Sequence, residues 1–136
     1  MAASTRLGWH SLGARFDCPC GEAHSLPIEA CYNGPDAAQR LADFARERLG
    51  PACLVVSDAN TREADGDRLF SALSRAGKRI VEKRYGPEPL DATDALGDEV
   101  AAAGRDVDFF IGLGAGTIAD LAKYAGDRLG RPVVLY

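Results

Sequence analysis

Three short apolar runs set the limits on this fold: Ala52 to Ser57, Val107 to Ile111 and Val133 to Tyr136. They are continuous rather than alternating. A strand with one wet face alternates apolar and polar side chains, whereas a strand covered on both faces does not, so these runs predict a sheet lying between layers of helix. The segments joining them carry apolar residues at three- and four-residue spacing. Ala38, Leu41, Ala42, Ala45 and Leu49 make one stripe, opened by Gly34-Pro35-Asp36 and closed by Gly50-Pro51. A second helix is expected around Asp67 to Ala76, and a third, capped by Asp91 or Thr93, through Ala103. A fourth runs from about Thr117 to Leu129, with Ile118, Leu121, Ala122, Ala125 and Leu129 on one face.

Lys78 to Tyr85 does alternate, which suits an edge strand, and Leu26 to Tyr32 reads as a further strand. The expected fold class is therefore α/β: a Rossmann-like three-layer domain with a mostly parallel sheet of about five strands and helices on both faces. Ligands of such sheets sit at the carboxyl ends of the strands.

A chain of 136 residues, 46% hydrophobic and 26% charged, has the makings of one folded core. Residues 1–15 read as a flexible tail preceding a single domain over residues 16–136. A net charge of -4 argues against a nucleic-acid partner, which would need clustered Lys and Arg to displace counterions. No apolar run approaches the ~18 residues that span a bilayer, and the first fifteen residues lack the apolar centre of a secretory signal, so no membrane is expected and a cytoplasmic location is.

Chemistry concentrates in Phe109-Phe110-Ile111-Gly112-Leu113-Gly114-Ala115-Gly116-Thr117-Ile118-Ala119-Asp120, which passes from strand to helix through glycines at alternate positions. Without a Cβ the backbone can adopt positive φ and come close to a ligand, so several amides can converge on one anion. The helix beginning near Thr117 adds about half a positive charge at its amino end. Thr117 can cap that helix or give its hydroxyl to a phosphate oxygen. The spacing is neither GxGxxG nor a Walker A loop, since no Gly-Lys-Ser/Thr follows. A tight turn with no ligand is the plainer reading of the same glycines.

Asp58 ends the Ala52–Ser57 run and so belongs on the same rim of the sheet. A carboxylate there can accept the hydroxyls of an adenosine ribose, which would favour NAD over NADP; Arg62 lies close enough in sequence to offset that preference. The alternative role for Asp58 is to cap its own turn.

At two stretches, Val55-Val56-Ser57-Asp58-Ala59-Asn60-Thr61 and Ile111 to Tyr124, the chain resembles the iron-containing alcohol dehydrogenase superfamily, and within it the sn-glycerol-1-phosphate dehydrogenase group. The resemblance covers about Phe16 to Tyr136. It implies an amino-terminal NAD(P)-binding domain of a metal-dependent dehydrogenase acting on a polyol phosphate, by reduction of dihydroxyacetone phosphate to glycerol-1-phosphate. Asp58, Asn60 and Thr61, with Gly112, Gly114, Ala115, Gly116, Thr117 and Asp120, would face the cofactor, and Lys123 the substrate side. The family's zinc or iron ion is held by an Asp and two His in a helical carboxyl-terminal domain that this sequence does not reach, so the chain alone is expected to be inactive. A 3-dehydroquinate synthase-like lyase domain and a non-catalytic nucleotide- or phosphate-binding module are the other readings, and an uncovered docking edge would favour a homo-oligomer.

Phe16-Asp17-Cys18-Pro19-Cys20-Gly21-Glu22-Ala23-His24 places two thiols and an imidazole within one short segment. A turn could gather Cys18, Cys20 and His24 around zinc, although CxC spacing is tighter than the common C-x₂-C knuckle; the plainer expectation is a hairpin turn with partly exposed, reduced thiols. Cys31 falls in an expected strand and is expected with it in a core, and Cys53 reads as packing.

Overall fold

The computed structural model describes residues 11–136, which fall into two compact units, Met1–Asn33 and Gly34–Tyr136. Most of the expected tail, through His10, lies outside the described residues.

In the first unit, strands β1 (Arg15–Asp17) and β2 (Ala23–Ser25) pair antiparallel with Phe16 opposite His24. The connecting turn is closed by Gly21 N–H donating to the Cys18 carbonyl and Cys18 N–H donating to the Glu22 carbonyl, both at 3.0 Å. The strand expected over Leu26 to Tyr32 does not form. Pro27 has no amide to offer a ladder, the Ile28 amide folds back onto the Leu26 carbonyl at 2.7 Å, and Ile28 and Tyr32 stay exposed. Cys31, expected with that strand to be core, is also exposed.

The second unit runs α1 (Ala37–Arg48), β3 (Ala52–Ser57), α2 (Ala59–Thr61), a π-helical turn (Arg62–Gly66), α3 (Asp67–Arg75), β4 (Arg79–Arg84), α4 (Asp94–Ala103), β5 (Phe109–Leu113), α5 (Thr117–Leu129) and β6 (Val133–Leu135). Its strands lie in the order β4-β3-β5-β6, every pair parallel, so the sheet has four strands where about five were expected. β4 is the edge strand that its alternation predicts.

The continuous apolar runs are explained by burial on both faces. Cys53, Val55, Phe109, Ile111 and Leu113 pack against Leu41 and Ala45 of α1 and Leu69 and Leu73 of α3. On the opposite face Leu54, Val56 and Phe110 meet Val100 and Ala101 of α4 and Ile118, Leu121, Ala122 and Ala125 of α5. Phe109 and Phe110, adjacent in sequence, are both wholly buried and point into opposite layers. Each such side chain contributes on the order of 1.5–3 kcal/mol of apolar transfer free energy. Cys53 belongs to this packing, and burial pushes its thiol up to about 12, which leaves it unreactive.

Topology fixes where a ligand can sit. From β3 the chain crosses to β4 on one side, then returns past β3 to β5 and β6 on the other. The crossover direction reverses between β3 and β5, and the crevice beyond their carboxyl ends is the switch point at which ligands of open parallel sheets bind. Ser57 and Leu113, the last residues of those strands, stand opposite one another in the register.

Candidate functional site

The loop from Leu113 to Thr117 leaves the sheet at that switch point, and its two glycines and the Gly112 that precedes it do different work. Gly112 still belongs to β5: its carbonyl accepts the Tyr136 amide at 2.8 Å, and a Cβ on it would lie 3.2 Å from that of Ala122, so it lets α5 pack closely on the sheet. Gly114 sits at φ +134 with Thr61 Cγ2 only 2.9 Å from where a Cβ would be, and its amide donates to the Tyr136 carbonyl at 2.9 Å. Gly116 sits at φ +55 with open space where a side chain would project.

The anion-binding amides expected between Gly112 and Thr117 are therefore fewer than the sequence promised, because the Gly114 amide is spent on β6. Among the described residues, Ala115 and Gly116 have no hydrogen-bond acceptor for their amides, and both residues are exposed. Gly116 is the N-cap of α5 and offers no side chain to its first turn. The amides opening that helix are left for solvent or a ligand. Thr117, which could have served as cap or phosphate donor, does neither in this structure: it is the first residue of the helix, and its hydroxyl donates to the Leu90 carbonyl at 3.0 Å.

Asp58 is a cap after all. Its Oδ1 accepts the Thr61 amide at 2.8 Å and its own amide donates to Thr61 Oγ1 at 3.1 Å, a reciprocal capping box at the start of α2. The cap uses one carboxylate oxygen, so the ribose role remains open to the other. Arg62 is not available beside it. Its guanidinium is held by Asp67 at 2.8 Å and Glu82 at 2.9 Å and lies 4.4 Å over the Phe70 ring.

These two turns share one pocket of about 280 Å³, lined on one side by Ala115, Thr117 and Ile118 and on the other by Asp58 and Asn60. Its remaining wall is the stretch from Gly86 to Leu90, which carries no motif that marks it as part of a site. The available signal was positional: this stretch follows β4, and every strand of a parallel sheet delivers its successor loop to the same rim. The pocket's lining brings Ala115 and Thr117, at the start of α5, together with the acidic residues Asp58 and Glu88.

The other expected positions lie apart from this lining. Thr61 and Gly114 touch each other beneath it. Asp120 and Lys123 are exposed on α5 and pair with each other at 2.6 Å, a solvated contact worth about 0–1 kcal/mol. In the first unit, Cys18, Cys20 and His24 gather around the hairpin turn, half-buried at Cys18 and exposed at the other two. Hydrogen bonds from the Glu22 backbone and from Cys18 lower the pKa of the Cys20 thiol. Among the described residues no helix is long and apolar enough to cross a membrane.

The family model for iron-containing alcohol dehydrogenases matches residues 32–135. The chain belongs to that family. Among its relatives, glycerol-1-phosphate dehydrogenase (NAD(P)+) of Halalkalibacterium halodurans is 29% identical over 123 residues, a match spanning 87% of this chain and 31% of the relative. The enzyme of the same name from Methanospirillum hungatei is 29% identical over 102 residues, spanning 74% of this chain and 27% of the relative. The crystal structure of glycerol dehydrogenase from Schizosaccharomyces pombe superposes with a TM-score of 0.64 at 22% identity, over 73% of this chain and 25% of that one, which establishes the shared fold. The chain thus spans under a third of the length of these relatives.

Proposed function

We propose that Gly34–Tyr136 binds a nicotinamide dinucleotide and forms the cofactor-binding part of a dehydrogenase acting on a polyol phosphate. One observation carries this reading: the unpartnered amides of Ala115 and Gly116 stand at the start of a thirteen-residue helix, and Ala115 and Thr117 line the same pocket as Asp58. A dinucleotide has a doubly charged diphosphate and a vicinal ribose diol, and it needs donors and acceptors at separate ends. The pocket offers that order: amides and the helix dipole for the diphosphate, and the free oxygen of Asp58, with Asn60 beside it, for the diol. Open space above Gly116 lets phosphate oxygens approach the backbone.

NAD is favoured over NADP. A 2′-phosphate would meet the Asp58 carboxylate, and Arg62, the nearby cation in sequence, is already neutralised by Asp67 and Glu82. The printed name NAD(P)+ of the relatives covers both cofactors. The substrate class comes from those names and from the resemblance, which also assigns Asp120 and Lys123 to the cleft. When bound, the cofactor would supply the hydride. These residues hold and orient it. The only cluster of potential metal ligands among the described residues is Cys18, Cys20 and His24, which is not the Asp and two His of the family's ion, so no step through that metal is assigned to this chain.

Calorimetric titration of the full chain with NADH, NADPH, ADP-ribose and inorganic phosphate tests the reading. NADH and ADP-ribose are expected to bind, NADH more tightly than NADPH. Ala115→Glu, which puts a like charge among the amides at an exposed non-glycine position, should weaken NADH by about tenfold or more while leaving thermal unfolding unchanged. Binding of phosphate alone, or full NADH affinity in the variant, would remove the proposal's support.

A further inference from the structure

The hairpin of the first unit contains a group of ligands that the dinucleotide reading does not use. We propose that Cys18, Cys20 and His24 form a zinc site, with solvent completing the tetrahedron. Their two sulfurs and a ring nitrogen lie within 4.8 Å of one another, and Cys20 Sγ is 3.1 Å from His24 Nε2. Zinc bonds of about 2.3 Å to sulfur and 2.0–2.1 Å to nitrogen place tetrahedral neighbours roughly 3.6 Å apart, so small rotamer changes bring all three into range.

The backbone has already made the arrangement. Gly21, at φ +91, lets the chain turn between Cys20 and β2, and the Cys18–Glu22 and Gly21–Cys18 hydrogen bonds hold the loop closed. The β1–β2 register then sets His24 opposite Phe16, two residues before Cys18, with the Phe16 and His24 rings 6.0 Å apart. Strand pairing thus holds His24, already near in sequence, against the thiols.

A physical need accompanies the geometry. Among the described residues of this unit none contributes to the buried hydrophobic core, and its strands are three residues each. A hairpin of that size is marginal in water, and small units of this kind are commonly held by a metal or a disulfide. Two thiolates and an imidazole select zinc over magnesium or calcium, which prefer oxygen ligands. Binding would release the two thiol protons to solvent as the Zn–S bonds form.

The test uses the full chain. After exchange into metal-free buffer, elemental analysis should find one zinc per chain, and cobalt substitution should give the near-ultraviolet thiolate-to-cobalt charge-transfer band. Cys18→Ser with Cys20→Ser should lose both signals and His24→Ala should weaken them, while Cys31→Ser keeps both. Far-ultraviolet circular dichroism should match the parent in each variant, because the α-helices among the described residues belong to the other unit. Metal-free protein, zinc retained by the double-serine variant, or a Cys18–Cys20 disulfide in the protein as isolated would overturn the proposal.

Discussion

At Asp58 one carboxylate is asked to do two things. Oδ1 caps α2 through the Thr61 amide, and the other oxygen is the proposed acceptor for ribose hydroxyls. Asp58→Asn separates the two, because an amide oxygen can still cap at little cost in stability while the negative charge is gone. The expected result is a smaller preference for NADH over NADPH with a nearly unchanged thermal midpoint. Unchanged discrimination between the two cofactors would place the selecting group elsewhere. Gly116 would be the more obvious residue to change, but its φ of +55 strains any L side chain by about 1–3 kcal/mol, so lost binding there could reflect a distorted loop; exposed Ala115 avoids that confusion.

Elements rather than single residues hold the glycine loop in place, and β6 has a larger share than its three residues imply. Its continuation, Tyr136, exchanges hydrogen bonds with Gly112 and Gly114, and the Tyr136 hydroxyl donates to Asp65 Oδ2 at 2.5 Å, linking the loop side of the sheet to the π-helical turn. Burial, then the bond to Asp65 and its negative charge, push the phenol up to about 12, with Arg68 opposing. The fold therefore favours the neutral phenol. Below the unfolded-state value near 10 this stabilisation is fully present, and it is lost as pH rises from about 10 toward 12, because the unfolded chain releases its proton first. Thermal midpoints should fall as pH rises from about 10 toward 12, and Tyr136→Phe should flatten part of that fall. Tyr85 and Tyr124, also raised mainly by burial, and the buried Cys53 thiol contribute to the remainder. An identical pH profile in Tyr136→Phe would show that this contact does not couple ionisation to folding.

Across the whole molecule, what could be read in advance was whatever periodicity and capping control. The α5 boundaries, the edge position of β4 and the two-faced burial of β3 and β5 follow from residue pattern alone. Features set by long-range contact were hidden. The pattern from Leu26 to Tyr32 looks like a strand, but beyond Leu26 no described residue offers it a ladder; Gly86 to Leu90 looks like a plain connection, yet parallel topology makes it a pocket wall. For the same reason the contrast between the two units could not be seen beforehand. Among the described residues every buried apolar one belongs to Gly34–Tyr136, and those of the Met1–Asn33 unit form only a short hairpin. Stability should divide accordingly. A fragment comprising Gly34–Tyr136 is expected to unfold cooperatively, with a thermal midpoint within about 4 °C of the full chain, the shift that roughly 1 kcal/mol produces in a domain this size. It should bind no zinc, since the three proposed ligands are gone with the hairpin. A fragment that melts without a cooperative transition would mean that the sheet and its four flanking helices do not by themselves constitute the folding unit, and that residues 1–33 supply part of its stability.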